Sequence, residues 1–287
     1  MSKQLHKISK LIKRGINYIY ALIKTKPLKV FTSSDFTTTK ILDIFVVAFN
    51  DAKLIETQYQ FMQKNLQQNQ YHYIICDNSN NLEIADKIFE FCQTHNITYY
   101  RLPQFLYVGP SHSHGYALNW IYKNLIKKRK NNFAFIDHDI FPIKPIDLSK
   151  YFMTPLCGAI RERFNCWYPW AAFSFYSFDF MKTKTVNFLP CRYNHKLLDT
   201  GGGNYQAIYK NLDKNLWKTL PEHYINLHTD ENIEYNSLNY KELDEFIYNN
   251  AVEIIDDKWL HIIGGAQWGG KHNKFALAMK KFGDYND

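Results

Sequence analysis

The amino-acid sequence predicts an α/β fold in which a mostly parallel sheet is flanked by helices. From residue 41 onward, short runs rich in β-branched and aromatic residues alternate with longer segments of helical periodicity. That alternation favours parallel strands joined by helices. The chain has 287 residues, of which 46% are apolar and 17% aromatic. It can therefore bury a large core and is neither a disordered nor a collagenous chain.

The alternating elements extend through residues 41–145, which we expect to form the ligand-binding half of one domain. The predicted strands are residues 44–49, 73–76, 97–101 and 133–136, and the predicted helices are residues 52–68, 82–94 and 117–127. Ligands bind at the carboxyl ends of parallel strands. That rule selects three polar segments, at residues 50–51, 77–79 and 137–139. Residues 146–287 would complete the same domain.

The segment after the fourth predicted strand carries the sharpest chemical signal. In FAFIDHDIFP a buried strand leads into two aspartates separated by one residue, Asp137 and Asp139. In an extended segment such side chains project to the same side, where both could face one cation. Their oxygens suit Mg²⁺ or Mn²⁺, which complete their coordination with water and substrate phosphates. The alternative is that both aspartates only cap backbone N–H groups.

The wider arrangement resembles glycosyltransferase family 2, whose members have the GT-A fold. The order of VVAFN, IICDNSN, HGYALNW and FAFIDHDIFP carries the resemblance, which covers residues 41–145 and is looser beyond them. It implies a nucleotide-sugar donor, with UDP-sugars favoured, bound through Mn²⁺ or Mg²⁺. The acidic pair that usually marks the catalytic base of this family has no clean copy here.

The resemblance also implies roles for individual residues on the donor side. Asp77 would contact the base or ribose, and Asp137 and Asp139 would hold the metal and the diphosphate. The other donor-side positions come from the end of the first strand and from the helix before the paired aspartates: Asn50, Gly115, Ala117 and Asn119. His138, between the aspartates, would be either a partner of the metal ligands or a solvated side chain.

An aromatic segment at residues 161–177 opens the second half of the domain, which would bind the acceptor. Trp167 and Tyr168 could stack on a sugar ring. Ordinary core packing is the alternative, and we favour it for Trp170 and Phe173.

The segment LDTGGGNYQAIYK supplies the predicted catalytic base. Asp199 lies 60 residues after Asp139, a plausible separation for a base on the acceptor side of this fold. Gly201 and Gly202 would allow close backbone approach to the acceptor. The alternative is that Asp199 or Thr200 caps the helix that follows. Two other acidic residues are held in reserve as the base, Glu162 and Glu222.

A histidine near the end of the chain is a third candidate metal ligand. His261 lies on a short apolar strand in KWLHIIGG, and several GT-A enzymes complete the metal or diphosphate site with a late histidine. Its Nε2 is chemically suited to Mn²⁺, although a single histidine is more often structural. Further candidates are Lys271 and His272 for the diphosphate, and a weaker cluster of His228, Asp230 and Glu231.

The positive charge of the chain is confined to its beginning. The formal net charge is +8, and residues 1–30 contain eight lysines and arginines and no acid. The remaining chain has 27 basic and 27 acidic side chains, so it lacks the excess that neutralises a phosphate backbone. We therefore expect no nucleic-acid partner.

Residues 1–30 have the pattern of a helix that lies on a membrane surface. Apolar residues recur at spacings of three or four with lysines between them: Leu5, Ile8, Leu11, Ile12, Ile16, Ile19 and Ile23. The most apolar stretch is too short to span a bilayer and is interrupted by Asn17. The alternative is a helix packed on the domain. Residues 31–40 are predicted to be a linker.

Five cysteines without a CxxC pair favour a reducing compartment. Together these observations predict a cytoplasmic enzyme attached to the inner face of a membrane. It would transfer a sugar to a hydroxyl of a glycan or lipid-linked acceptor, with inversion implied by the resemblance alone. The alternatives are a nucleotidyltransferase acting on a sugar phosphate, a phosphate-cleaving metal hydrolase, and a non-catalytic glycan-binding protein at the membrane surface.

Overall fold

The fold is described from a computed structural model, which covers residues 3–23, 25–37, 40–163, 165–229, 231–233, 240–264 and 272–283. The strands are β1 (Lys29–Phe31), β2 (Leu42–Ala48), β3 (Tyr71–Asp77), β4 (Thr98–Arg101), β5 (Phe133–Ile136), β6 (Ile140–Pro142), β7 (Leu156–Arg163), β8 (Cys166–Tyr176), β9 (Cys191–Tyr193), β10 (Lys196–Leu198), β11 (Trp217–Thr219), β12 (Glu222–Asn226), β13 (Asn232–Ile233), β14 (Ala251–Ile255) and β15 (Trp259–His261). The α-helices are α1 (Lys3–Ile23), α2 (Ala52–Asn65), α3 (Leu82–Thr94), α4 (Pro110–Ile121), α5 (Lys127–Arg129), α6 (Phe178–Met181), α7 (Tyr240–Asn250) and α8 (His272–Phe282).

A large sheet confirms the predicted α/β fold. Its eight strands run in the order β1-β4-β3-β2-β5-β8-β7-β11, and β4, β3, β2 and β5 are mutually parallel. These four are the strands predicted from the sequence. The predicted helix at residues 82–94 has the observed bounds of α3. Helix α4 begins earlier than predicted, at Pro110, where a fixed φ favours a helix start, and a π-helical turn continues it into α5.

The strand β2 lies at the centre of two hydrophobic layers. Ile44 and Val46 enter the cluster on one face of the sheet, whereas Phe45 and Val47 enter the cluster on the other. Alternate residues of a strand point to opposite faces, so a continuous apolar run is required where both faces are covered. This burial fixes the carboxyl end of β2 and of its parallel neighbours at one edge of the sheet.

A second, antiparallel sheet lies beside that edge. Its strands run in the order β13-β12-β14-β15-β6. The chain passes from the large sheet to the small one between β5 and β6, and this connection is Asp137-His138-Asp139. The paired aspartates are therefore located at the junction of the two sheets.

The beginning of the chain is joined to the large sheet by β1, which pairs with β4 in antiparallel register. Ser33 and Phe36 are buried beyond it, and the guanidinium of Arg129 stacks 3.7 Å from the centroid of the Phe36 ring. The predicted boundary at residue 30 thus falls inside β1. The sequence pattern did not reveal this strand, because the segment KVF is too short to show strand periodicity. Within the described helices, none combines the length and the apolar character that a membrane span requires.

Candidate active site

The loop that carries the paired aspartates is clamped from three directions. The backbone N–H of Asp137 donates to the carbonyl of Ala172 on β8 (2.8 Å), and the carbonyl of Asp139 accepts from the N–H of Ile262 after β15 (2.9 Å). The Gln58 amide on α2 donates to the carbonyl of Asp137 at 2.7 Å. Backbone positions fixed in this way hold the two carboxylates in one arrangement.

Both aspartates line a cavity of about 1300 Å³ at the junction of the sheets. Val47, Phe49 and Asn78, at the carboxyl ends of β2 and β3, line the same cavity. The strand ends that the sequence pattern selected thus lie at this cavity. His138 is buried, and its Nδ1 accepts from the N–H of Phe49 at 3.2 Å. The ring of His138 holds the end of β2 against the aspartate loop.

The environment of Asp137 disfavours a bare carboxylate. Burial raises the pKa of Asp137 above its ordinary value, the charge of Asp139 raises it further, and His114 opposes both. Nε2 of His114 lies 3.3 Å from Oδ1 of Asp137, yet this buried nitrogen makes no hydrogen bond within the described chain. A cation would relieve the repulsion between the two carboxylates, and a phosphate oxygen could accept a hydrogen bond from Nε2 of His114. His114 begins the sequence HGYALNW but was not singled out from it.

His261 is brought to the aspartates by the small sheet. In the antiparallel ladder His261 lies opposite Glu253 of β14 on one side and Ile140 of β6 on the other. Its Nδ1 is 2.6 Å from Oε2 of Glu253, and its Nε2 is 3.9 Å from Oδ1 of Asp139. Burial alone would lower the pKa of His261, but the Glu253 hydrogen bond and the neighbouring carboxylates outweigh it and raise the pKa.

This donor set fits a metal that is completed by a substrate. Among the described residues, no three or more His, Cys, Asp and Glu side chains form a group that could hold a metal ion alone. Mg²⁺ and Mn²⁺ at phosphate-transfer sites often take only one or two protein carboxylates, with phosphate oxygens and water as the other ligands. Asp137 and Asp139 can provide those carboxylates, and His261 lies beside Asp139.

A partly buried charge network adjoins His261 and also lines the cavity. Nη1 of Arg161 lies 2.5 Å from Oε2 of Glu222, and its Nη2 lies 3.2 Å from Oε1 of Glu253. Burial raises the pKa of Glu222 to about 7, with Arg161 opposing and Glu253 adding to the increase. The pKa of Glu253 is lowered because Arg161 and His261 outweigh its burial. The guanidinium of Arg161 thus pairs with the carboxylates of both Glu222 and Glu253. Of these two, Glu222 takes up a proton near neutral pH.

Two aromatic residues differ from their predicted environments. Trp170, for which core packing was favoured, is only half-buried and lines the cavity, with the Arg161 guanidinium 4.1 Å from its ring centroid. Trp167, predicted to contact the acceptor, packs against Tyr209 and Trp217 in a hydrophobic cluster. The antiparallel β7–β8 pairing, which the sequence pattern did not specify, decides which ring faces the cavity. Phe173 is buried, as predicted.

Asp199 lines the cavity, as expected of a base candidate. Its backbone N–H donates to the Tyr168 hydroxyl (3.0 Å), and its Oδ1 accepts from the N–H of Thr200 (2.8 Å). Tyr168 is buried but also contributes to the cavity wall. Both reserve candidates, Glu162 and Glu222, line the cavity as well.

The glycine triplet and Asn119 hold a loop at residues 187–189. The side-chain oxygens of Asn119 and Asn204 accept from the N–H groups of Phe188 (2.8 Å) and Asn187 (2.6 Å), respectively. Gly201 and Gly203 donate their N–H groups to carbonyls of the same loop. The close approaches predicted for ligands at Gly201, Gly202 and Asn119 are therefore made to protein. A Cβ at Gly115 would lie 2.9 Å from the carbonyl oxygen of Phe188, and one at Gly202 would meet the side chain of Leu198.

The carboxylate of Asp77 also makes its contacts in the protein interior. Its buried carboxylate accepts from the Tyr99 hydroxyl (2.6 Å) and from the N–H of Ser79 (2.8 Å), and lies 3.7 Å from Nη1 of Arg101. The next residue, Asn78, lines the cavity instead. A strand-end pattern does not distinguish two consecutive polar residues, which point to opposite sides.

Asn50 links the loop after β2 to the loop after β3. It has a φ of 51°, and its Oδ1 accepts from the N–H groups of Asn80 (3.1 Å) and Asn81 (3.0 Å). Among the other candidates, His228 is exposed on a turn. Lys271 and Asp230 lie outside the described residues.

Comparisons with known proteins return distant structural matches. No family model and no curated protein matches the sequence. A mannosyltransferase from Pyrobaculum calidifontis, PcManGT, in complex with GDP-Man and Mn²⁺, is 12% identical over 62% of this chain and 57% of its own, with a TM-score of 0.35. The bifunctional glycosyltransferase WbbM is 10% identical over 44% of this chain and 24% of its own, with a TM-score of 0.32. The galactosyltransferase LgtC, in complex with donor and acceptor sugar analogs, is 10% identical over 47% of this chain and 58% of its own, with a TM-score of 0.32. This chain spans less than two thirds of each of these proteins, and similarity at this level does not carry a functional assignment.

Proposed function

We propose that the protein is a metal-dependent glycosyltransferase that moves a sugar from a nucleotide diphosphate donor, UDP-sugars being favoured, to a hydroxyl of a glycan or glycolipid. The observation that carries the proposal is the position of Asp137 and Asp139, which both line a large cavity at the junction of the sheets. The resemblance of residues 41–145 to glycosyltransferase family 2 supports the same chemistry.

The two aspartates would hold Mn²⁺ or Mg²⁺ together with the donor diphosphate, and His261 would be a third contact. When bound, the metal would neutralise the charge that develops on the departing diphosphate. The loop of Asp137 and Asp139 is clamped by β8, β15 and α2, so both carboxylates would be presented to the metal from fixed backbone positions. His114 is positioned to donate to a phosphate oxygen, since its Nε2 faces Asp137.

The remaining chemistry requires a base on the acceptor side. Asp199 would take the proton of the acceptor hydroxyl as that oxygen bonds to the anomeric carbon. The bond to the diphosphate breaks in the same step, and its electron pair leaves with the phosphate oxygen. A single displacement of this kind inverts the anomeric centre; inversion is supported by the family resemblance alone.

Attachment to the inner face of a membrane through residues 1–30 is part of the proposal. Its support is the excess positive charge of that segment and the exposure of several apolar side chains on α1. The segment would concentrate a cytoplasmic enzyme near a lipid-linked acceptor.

A thermal-shift panel tests the proposed function directly. A ligand that binds only the native state at 100 times its Kd stabilises the protein by about 2.7 kcal/mol, which raises Tm by several degrees. We expect one class among UDP-, GDP- and CMP-sugars to raise Tm with Mn²⁺ present and not without it. Stabilisation by a nucleoside triphosphate and a sugar phosphate, without any nucleotide sugar, would instead indicate a nucleotidyltransferase. If no nucleotide stabilises the protein, the result would favour the alternative of a non-catalytic glycan-binding protein.

A further inference from the structure

Helix α1 is fixed to the domain by the residue that interrupts its apolar pattern. Asn17 is buried, its Nδ2 donates to the carbonyl of Leu106 (2.7 Å), and its Oδ1 accepts from the N–H of Leu106 (2.8 Å). Nζ of Lys123 donates to the carbonyl of Ala21, one turn further along α1 (3.3 Å). A buried amide with both groups paired to one backbone residue gives α1 a defined orientation on the loop that precedes α4.

That loop forms one rim of the cavity. Tyr107 of this loop lines the cavity beside Pro110 and Ser111 at the start of α4, and 64% of the Tyr107 surface remains exposed. Burial lowers the pKa of His112 on α4, and the nearby positive charges of Arg14 and Lys10 on α1 lower it further. The cavity mouth and the basic helix are therefore neighbours.

Another face of α1 is apolar and exposed. Leu5, Ile8, Ile12, Ile19 and Ile23 recur at helical spacing, and between 48% and 66% of each remains exposed. Leu106 on the rim loop is a further exposed apolar side chain. Exposed apolar residues beside cations, in a segment without a single acid, are complementary to an anionic bilayer.

We propose that α1 and the rim loop at residues 106–107 form one docking surface, which holds the mouth of the cavity against an anionic bilayer. The acceptor would then be a membrane-resident, lipid-linked saccharide that enters from the bilayer side. The acceptor class rests on the proposed function, whereas the orientation of the mouth does not. A flexible anchor would leave the orientation of the cavity mouth toward the bilayer free. The hydrogen bonds between Asn17 and Leu106 constrain that orientation, because they fix α1 to the rim loop.

Environment-sensitive labels test the orientation without any activity measurement. A nitrobenzoxadiazole label is attached to Ile12→Cys, Leu106→Cys or Met153→Cys in a Cys191→Ser background, since the other four cysteines are buried. Met153 is 80% exposed and belongs to neither α1 nor the rim loop, so it is the matched control. With vesicles containing phosphatidylglycerol, we expect a blue shift and at least a doubling of emission at positions 12 and 106 only. A shift at position 12 alone would overturn the proposal in favour of a loose tether. No shift at either position would exclude docking.

A kinetic comparison tests the acceptor class. The same saccharide is offered free in water or attached to a lipid in anionic vesicles, and we expect at least a tenfold lower KM for the anchored form. Ile12→Asp with Ile19→Asp should abolish that advantage and leave transfer to the free saccharide unchanged, whereas Leu82→Asp, also at an exposed apolar position, should change neither. Equal KM values for both acceptors would overturn the acceptor class. No transfer to either acceptor would count against the proposed function, and the label result would still stand.

Discussion

Nδ1 of His261 lies 2.6 Å from the carboxylate of Glu253, its partner in the antiparallel ladder of β14 and β15. A carboxylate bonded to one ring nitrogen fixes the ring and directs the other nitrogen outward, an arrangement common behind metal-binding histidines. Here Nε2 is directed toward Asp139, at 3.9 Å. Glu253 is thus a positioning residue for the third candidate ligand, and no local pattern in the sequence marks it.

Replacement of Glu253 by Gln should weaken metal-dependent donor binding. The variant removes the charge that holds His261 and Arg161, so we expect a 10- to 100-fold loss of apparent Mn²⁺ affinity, as found for such partners of metal ligands. Calorimetric titration of Mn²⁺ into the protein with saturating nucleotide sugar measures it, and thermal melts without metal identify misfolded protein. Unchanged Mn²⁺ affinity in folded Glu253→Gln would show that the charge of Glu253 does not position a metal ligand.

Replacement of Asp77 by Asn should destabilise the fold. It removes the charge of a buried carboxylate that accepts two hydrogen bonds and lies beside Arg101, so we expect a loss of about 2–4 kcal/mol in the free energy of unfolding. Urea denaturation measures it. Asn78→Ala is the matched change at the neighbouring cavity residue, and it should reduce donor affinity with a smaller stability loss. A stable Asp77→Asn protein with altered nucleotide preference would restore Asp77 as a donor contact.

Replacement of Asp199 by Asn should reduce turnover and leave donor binding nearly unchanged. Loss of a general base typically costs a factor of roughly 10² to 10⁴ in kcat. Steady-state kinetics alongside donor titrations separate the two quantities. If Asp199→Asn keeps parental kcat, the same assay on Glu222→Gln and Glu162→Gln identifies the base.

The burial of Glu222 predicts a pH-dependent stability. The pKa of Glu222 is about 7 in the folded protein, where burial dominates, and near 4.3 in the unfolded chain. Between these values the folded state holds a proton that the unfolded chain has released, so stability decreases as pH rises through this window, by about 3 kcal/mol. Glu222→Gln cannot titrate and lacks this decrease.

Urea denaturation at pH 5 and pH 8 measures the effect. The stability of Glu222→Gln relative to the parent should be higher at pH 8 than at pH 5 by about 3 kcal/mol. Glu83→Gln is the control, because Glu83 is exposed and paired with Lys87 on the surface of α3. The same relative stability of Glu222→Gln at both pH values would contradict the assigned ionisation.

The local fold could be predicted where burial imposes a strong pattern. Residues 133–136 are apolar throughout because both faces of β5 are covered, and apolar residues recur with helical periodicity over residues 82–94. Both elements were therefore predicted with their observed bounds. The strand-end rule predicts that Asp137 and Asp139 face a ligand, and the family resemblance adds His261 to the same site.

The rest of the site depends on long-range pairing that local patterns do not encode. Arg161 meets Glu253 across 92 residues only because β7 and β14 come together at the junction of the sheets. Asp77 and Asn78 are adjacent, polar and both buried, and the contacts of Asp77 with Tyr99 and Arg101 on β4 leave Asn78 as the one that lines the cavity. The glycines at 201–203 indicated that their backbone closely approaches another group. They did not indicate that this group is the loop at residues 187–189.

The most direct test of the central claim is metal-dependent donor binding by the double variant Asp137→Asn/Asp139→Asn, measured by calorimetry with the nucleotide sugar identified in the thermal panel. Asp179→Asn is the control, because this carboxylate is exposed and makes only a surface pair with Lys182. We predict that the double variant remains folded, loses the Mn²⁺-dependent part of donor binding and has no transfer activity, while the control matches the parent. Donor affinity in Mn²⁺ that is equal in the double variant and the parent would contradict a metal–diphosphate site at these aspartates.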